Sequence, residues 1–132
     1  MNFSQAIRAY FKKWNDFKSR SSRSEYWWGT LGVFVISLVV SFTLGFTVAF
    51  FGLSRGHSME EIQFLVNIVM LPFQIYLFIA GLALSVRRLH DINKSGWWYL
   101  IGLTIIGFIP LVYWAFKKGD DTKNRFGENP LT

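Results

Sequence analysis

Charge is absent from three stretches of the chain. Trp27 to Leu53, Ile62 to Val86 and Gly96 to Phe116 contain no Asp, Glu, Lys or Arg, and every such residue is crowded into the segments around them. The stretches are 27, 25 and 21 residues long. As helices rising about 1.5 Å per residue they reach roughly 40, 37 and 32 Å, against a hydrocarbon core of about 30 Å. Hydrocarbon offers no partner to an exposed peptide group, so helix is the conformation each must take. A closed barrel would need many alternating strands of about ten residues, and the chain has too few. The pattern predicts an all-α integral membrane protein, one membrane domain over residues 1–132. It has three transmembrane helices (27–53, 62–86 and 96–116) and a polar tail (117–132).

Residues 2–17 follow a different rule. Phe3, Ile7, Tyr10, Phe11 and Trp14 recur at steps of three and four, with Arg8, Lys12, Asn15 and Asp16 between them. That spacing predicts an amphipathic interfacial helix, lying on the membrane surface or covering the edge of the bundle. The first neutral run is too long for a signal-peptide core and no small-x-small cleavage site follows it, so it reads as a retained span.

Composition sharpens this picture in two ways. Only 17% of the 132 residues are charged, where a soluble domain carries about a quarter; together with the neutral runs this excludes a soluble globular domain and intrinsic disorder. The formal charge of +6 does not point to nucleic acid, because the cations border the spans. The chain has no cysteine, which excludes disulfides, thiolate metal sites and thiol nucleophiles.

Lysine and arginine counts before, between and after the runs are six, one, three and four. With three crossings, the amino terminus and the 87–95 loop share the richer side, which the positive-inside rule makes cytoplasmic. The tail and its four cations then face outward. If residues 96–116 instead enter and return, breaking near Gly107 and Pro110, the cations divide 13 against 1. Three crossings are the expectation, because two half-spans need burial inside a bundle.

The edges of the runs carry boundary chemistry. Tyr26, Trp27, Trp28, Trp97, Trp98, Tyr99, Tyr113 and Trp114 suit headgroup depth. Ser22-Arg23-Ser24-Glu25 reads as a capping box and Ser95 as a cap. Arg87 and Arg88 fall where the second helix ends, favoured by its dipole.

Within the spans, Ser37, Ser41, Gly45 and Ala49 recur every fourth residue, a small-residue face on which a helix can pack closely. Gln63, Asn67 and Gln74, with Gly81 and Ser85, form a stripe that should face other helices rather than lipid. No ionisable group lies inside a span, which argues against ion-coupled transport.

The polar loop from Arg87 to Gly96 is the densest candidate for chemistry. Asp91, Asn93 and Ser95 imitate the start of a calcium loop, but Gly102 stands where its bidentate glutamate is needed. His90 beside Asp91 invites an acid–base pair, although no nucleophile accompanies it and two histidines cannot build a three-histidine zinc site. No metal and no cofactor is implied.

Three segments together resemble the domain-of-unknown-function family 805 of small bacterial membrane proteins. They are Arg20-Ser21-Ser22-Arg23-Ser24-Glu25-Tyr26-Trp27-Trp28; Arg87-Arg88-Leu89-His90-Asp91 with Lys94-Ser95-Gly96-Trp97-Trp98; and Asn124-Arg125-Phe126-Gly127 before Pro130. Ser19 and Thr122 stand where that family usually has glycine, and Phe126 where it often has tyrosine. The resemblance implies a bacterial inner-membrane location and supplies no activity. The reading is therefore a small inner-membrane scaffold or accessory, not an enzyme, that self-associates or binds a membrane partner. Anionic lipid or a partner would be held by Arg20, Arg23, Glu25, Arg87, Arg88, His90, Asp91, Lys94, Asn124 and Arg125. The alternative is an oligomeric channel or carrier with a polar path along the second helix.

Overall fold

The computed structural model describes residues 1–131; Thr132, the last residue of the expected tail, lies outside them. Among the described residues the regular structure is entirely helical: α1 (Phe3–Lys12), α2 (Arg23–Ser54), α3 (Met59–Asp91), a 3-10 helix (Gly96–Leu103) and α4 (Ile105–Phe116). The first two neutral runs are contained in α2 and α3, the two helices long and apolar enough to cross a membrane. At 32 and 33 residues they measure about 48 and 50 Å, longer than a hydrocarbon core of about 30 Å.

Each long helix starts and stops where side-chain and backbone chemistry dictates. Ser22 and Ser58 cap α2 and α3, accepting from the amides of Glu25 and Glu61 at 3.2 Å each. Of these two helices α3 has the complete box, the Glu61 carboxylate accepting in return from the Ser58 amide at 2.9 Å. At α2 the expected box is half made, because Glu25 is drawn into the protein instead. The α2–α3 turn closes on Gly56 at φ +82°, with the His57 amide donating to Gly52 and the Gly56 amide to Leu53; this left-handed helix ending favours glycine.

The third neutral run does not form the single rod expected over 96–116. It makes the 3-10 helix, one extended residue at Thr104 (φ −105°, ψ 144°) and then α4. The two pieces double back on each other, bringing Trp98 and Trp114 to 5.7 Å between ring centroids, with the Lys94 ammonium over both rings. Eight residues of 3-10 helix and twelve of α4 reach about 16 and 18 Å, half a bilayer core. The tip satisfies its own backbone: the Thr104 amide and hydroxyl donate to the Ile101 carbonyl at 3.0 and 2.8 Å, and the Gly107 amide donates to the Thr104 hydroxyl at 3.0 Å. A Cβ on Gly107 would collide with the Ile101 carbonyl, so the turn admits no larger residue. Its apolar crown, Leu103, Ile105 and Ile106, is 81–94% exposed, as suits contact with lipid. The break falls three residues before the expected Gly107, at the hydroxyl that can cap it.

α1 is shorter than the expected 2–17 and packs across α2 and α3. Ala6 and Tyr10 are buried, Ile7 and Phe3 lie over Gly32, and two phenols pin the helix: Tyr10 donates to the Leu77 carbonyl at 2.8 Å and Tyr76 to the Phe11 carbonyl at 3.0 Å. The core, Tyr10, Val33, Ala80 and Leu84, therefore sits at the end of the α2–α3 pair where α1 and the doubled-back hairpin gather. The other half of that pair has only itself. Ser37, Ser41, Gly45 and Ala49 do not form its seam: Ser37 bonds its own Val33 carbonyl at 2.8 Å, Ser41 is exposed, and a Cβ on Gly45 would meet open space. The fully buried positions of α2 are Glu25, Gly29, Gly32 and Val33, all nearer its start.

Candidate functional site

All three polar segments meet at one end of the molecule, around the last turn of α3. That turn ends in a six-residue cap: the Lys94 amide donates to Leu89 at 2.9 Å and the Asn93 amide to His90 at 3.0 Å, with Asn93 at φ +56°. Asparagine tolerates this left-handed position where most residues do not. The cap turns the chain sharply into the hairpin and leaves Arg87, Arg88, His90 and Asp91 packed beneath the tail, all buried.

Arg20 is the central clamp. Its Nε and Nη2 both donate to Asp91 Oδ1, at 3.2 and 3.0 Å. Nη2 also reaches the Asp120 carbonyl at 2.6 Å, and Nη1 the carbonyls of Thr122 and Gly127 at 2.8 and 3.1 Å. One planar guanidinium thus ties α3 to three points of the tail, a fork geometry that lysine lacks. The Asp120 amide adds a bond to the Asp91 carbonyl at 2.8 Å. Gly119 lies directly against the Asp91 carboxylate, where a Cβ would collide with Oδ2.

Arg88 takes the other Asp91 oxygen at 2.5 Å and donates to the carbonyls of Ala115 (3.2 Å) and Lys117. It fastens the end of α4 beside the start of α2, where Trp27 and Phe116 approach to 4.4 Å. Arg87 points the opposite way, holding the turn after α1 through the carbonyls of Lys13 and Asp16 at 2.7 and 2.9 Å. Its Nη2 faces Glu25 Oε1 at 3.6 Å, and Lys13 Nζ lies 3.8 Å from the same oxygen, distances for charge attraction rather than hydrogen bonding. Three buried guanidiniums therefore surround two buried carboxylates, Glu25 and Asp91. Such an arrangement is tolerable only because the guanidiniums also bond main-chain oxygens.

Outside this layer, the His90 ring stacks on Phe126, with centroids 3.7 Å apart and planes within 3°. Its Nδ1 lies 3.2 Å from the Ser19 carbonyl; a carbonyl only accepts, so that nitrogen carries the proton. Asn124 donates to the His90 carbonyl and to Asp120 Oδ2, both at 3.0 Å, and Arg125 to the Asn93 carbonyl at 3.0 Å. On the far side, Asp16 accepts from the Ser19 hydroxyl at 2.5 Å and from the Lys18 and Ser19 amides. Burial pushes its carboxyl up, but those bonds and the Arg87 charge outweigh it and hold it below the ordinary carboxylate range.

The structure thus gathers Arg20, Glu25, Arg87, Arg88, His90, Asp91, Asn124 and Arg125 into one cap, with Lys94 over the hairpin's tryptophans. It corrects two expectations about them. Arg20, Arg87 and Arg88, expected at a lipid-facing rim, are turned inward and spent on protein oxygens, while Arg23 is exposed and makes one long bond, 3.5 Å, to the Phe116 carbonyl. His90 and Asp91, the candidate acid–base pair, face different partners and do not bond each other. Sequence reasoning missed Asp16, Gly119, Asp120 and Thr104. Only Thr104 had a local signal, a hydroxyl three residues before a glycine in an apolar run.

The expected helix-packing amides also lie apart from this cap. Gln63, Asn67 and Gln74 are exposed, and Gln63 Nε2 donates to Asn67 Oδ1 on the same helix at 2.9 Å.

The chain is 29% identical to the inner membrane protein YhaH of Escherichia coli K12 over 120 residues, 90% of each chain. It is 31% identical to the inner membrane protein YhaI of the same strain, covering 90% of this chain and 89% of that one. No solved structure matches. Residues 14–128, a range that includes all three clamp segments, match the family described as protein of unknown function, and the chain belongs to that family, DUF805.

Proposed function

We propose that this small membrane protein is a scaffold of the bacterial inner membrane, with two full crossings, a re-entrant hairpin and a rigid cytoplasmic cap. One observation carries the reading: both ends of segment 96–116 lie at the cap, with Arg88 holding Lys117 and Asp91 holding Asp120. The amino terminus, the 87–95 turn and the tail then share one side, and every lysine and arginine except Arg55 faces it. The positive-inside rule makes that side cytoplasmic. α1 covers the bundle edge at the headgroup level, with Phe3 edge-on to Trp28. The exposed cations Lys12, Lys18, Arg23, Lys117 and Lys118 ring this boundary and suit anionic headgroups. The buried groups favour scaffold over enzyme: both Asp91 oxygens are taken by arginines, and His90 is committed to Ser19 and Phe126.

The natural absence of cysteine makes the test direct. Lys123→Cys and His57→Cys are labelled with a membrane-impermeant maleimide in spheroplasts. His57→Cys is expected to react from outside and Lys123→Cys only after the membrane is opened. Labelling of Lys123→Cys in sealed spheroplasts overturns the topology.

A further inference from the structure

The hairpin that covers α3 near the cap reaches only halfway across the bilayer, and the stripe it leaves bare carries two carboxamides, Asn67 and Gln74. Gln74 is the midpoint of the neutral run 62–86, so it lies near the middle of the hydrocarbon. It is exposed and makes no hydrogen bond among the described residues. A carboxamide in that position needs a partner, because lipid tails supply none.

The neighbouring residues say what kind. Phe64, Asn67, Leu71, Gln74 and Phe78 alternate at steps of three and four, the spacing at which a helix seam meets another helix of the same period. All five are exposed, while the buried Ile62, Ala80 and Leu84 belong to the other side of α3 and the buried Met70, four residues before Gln74, marks the edge of the exposed face. Polar residues at alternate seam positions are the means by which such helices fix their register.

We propose that this face of α3 pairs with the same face of a second copy, across a two-fold axis along the membrane normal. The chemistry is self-complementary. A carboxamide both donates and accepts, so two Gln74 side chains bond reciprocally. The Gln63–Asn67 bond leaves a free acceptor on Gln63 and free donors on Asn67, which the identical pair on the second copy matches. Two copies spend these amides on each other and enclose no pore. The inference rests on α3 crossing the bilayer and is independent of which side holds the tail.

Single cysteines test it in native membranes under mild oxidation. Leu71→Cys and Phe78→Cys are expected to give disulfide-linked dimers. Ile68→Cys and Ile75→Cys, exposed about a quarter turn away on the same helix, are expected to stay monomeric. Adding Asn67→Leu and Gln74→Leu to Leu71→Cys is expected to weaken association about tenfold, the scale of interhelical hydrogen bonds in membranes. Equal cross-linking at all four positions, none at any, or a dimer indifferent to the leucine substitutions overturns the proposal. A Lys123→Cys result that fails the topology leaves this pattern unchanged, so the two ideas fail separately.

Discussion

Arg20→Ala tests whether the cap is one clamp or a set of incidental contacts. Wild-type Arg20 is 3% exposed, and its guanidinium joins Asp91 to the carbonyls of Asp120, Thr122 and Gly127. Breaking a buried ion pair from one side costs about 3–5 kcal/mol. Arg88 still neutralises part of the Asp91 charge, and the released tail carbonyls regain water, so the low end, about 3 kcal/mol, is the expected loss. At about 1.4 kcal/mol per factor of ten, the tail opens roughly 100-fold more often. Lys117, Lys118, Lys123 and Arg125 give trypsin four sites within it, and cleavage follows the open population when opening is fast compared with cutting. In detergent or nanodiscs, Arg20→Ala should therefore lose its tail about 100-fold faster than wild type. Arg20→Lys should fall between, since it keeps the charge without the fork. Helicity should hold, because hydrophobicity rather than the clamp keeps α2 and α3 in the membrane. Cleavage of Arg20→Ala at the wild-type rate refutes the reasoning. So does faster cleavage accompanied by loss of helicity, which would make Arg20 a support of the bundle rather than of the tail.

Other substitutions probe separate parts of the same account. Gly119→Ala forces a methyl against the Asp91 carboxylate and should cost about 1–3 kcal/mol, read as a lower unfolding midpoint in detergent; an unchanged midpoint contradicts it. Thr104→Val keeps the shape of the hairpin tip but removes the cap on Gly107, with an expected loss of about 1 kcal/mol in the same measurement, whereas Thr104→Ser should stay near wild type. Asp16 is held below its ordinary range, so its contribution is complete above about pH 4 and fades as the pH falls through the lower native value. Thermal stability should accordingly drop more steeply below about pH 4 for wild type than for Asp16→Asn, and parallel curves would exclude a role for the Asp16 turn.

Much of this protein was legible before folding was considered. The neutral runs fix α2 and α3, because the energy of placing a helix in lipid is set by which side chains it carries. Ser22 and Ser95 were readable as caps for a similar reason: capping is local, and the hydroxyl lies within three residues of the amide it accepts from. Gly119, Asn124, Gly127 and Pro130 likewise favour turns over helix in the tail.

What the sequence could not decide was direction and partnership. Residues 96–116 have the same hydrophobicity whether they cross the bilayer or double back. The outcome depends on the Thr104–Gly107 turn and on bonds such as Arg20 to Thr122, between residues about a hundred positions apart. The same holds for the arginines: a cation beside a span looks equally suited to lipid or to protein, and only the arrival of Asp91, Asp120 and the tail carbonyls turns Arg20 and Arg88 inward. Solvent preference belongs to each residue by itself, whereas the choice of partner belongs to the folded chain.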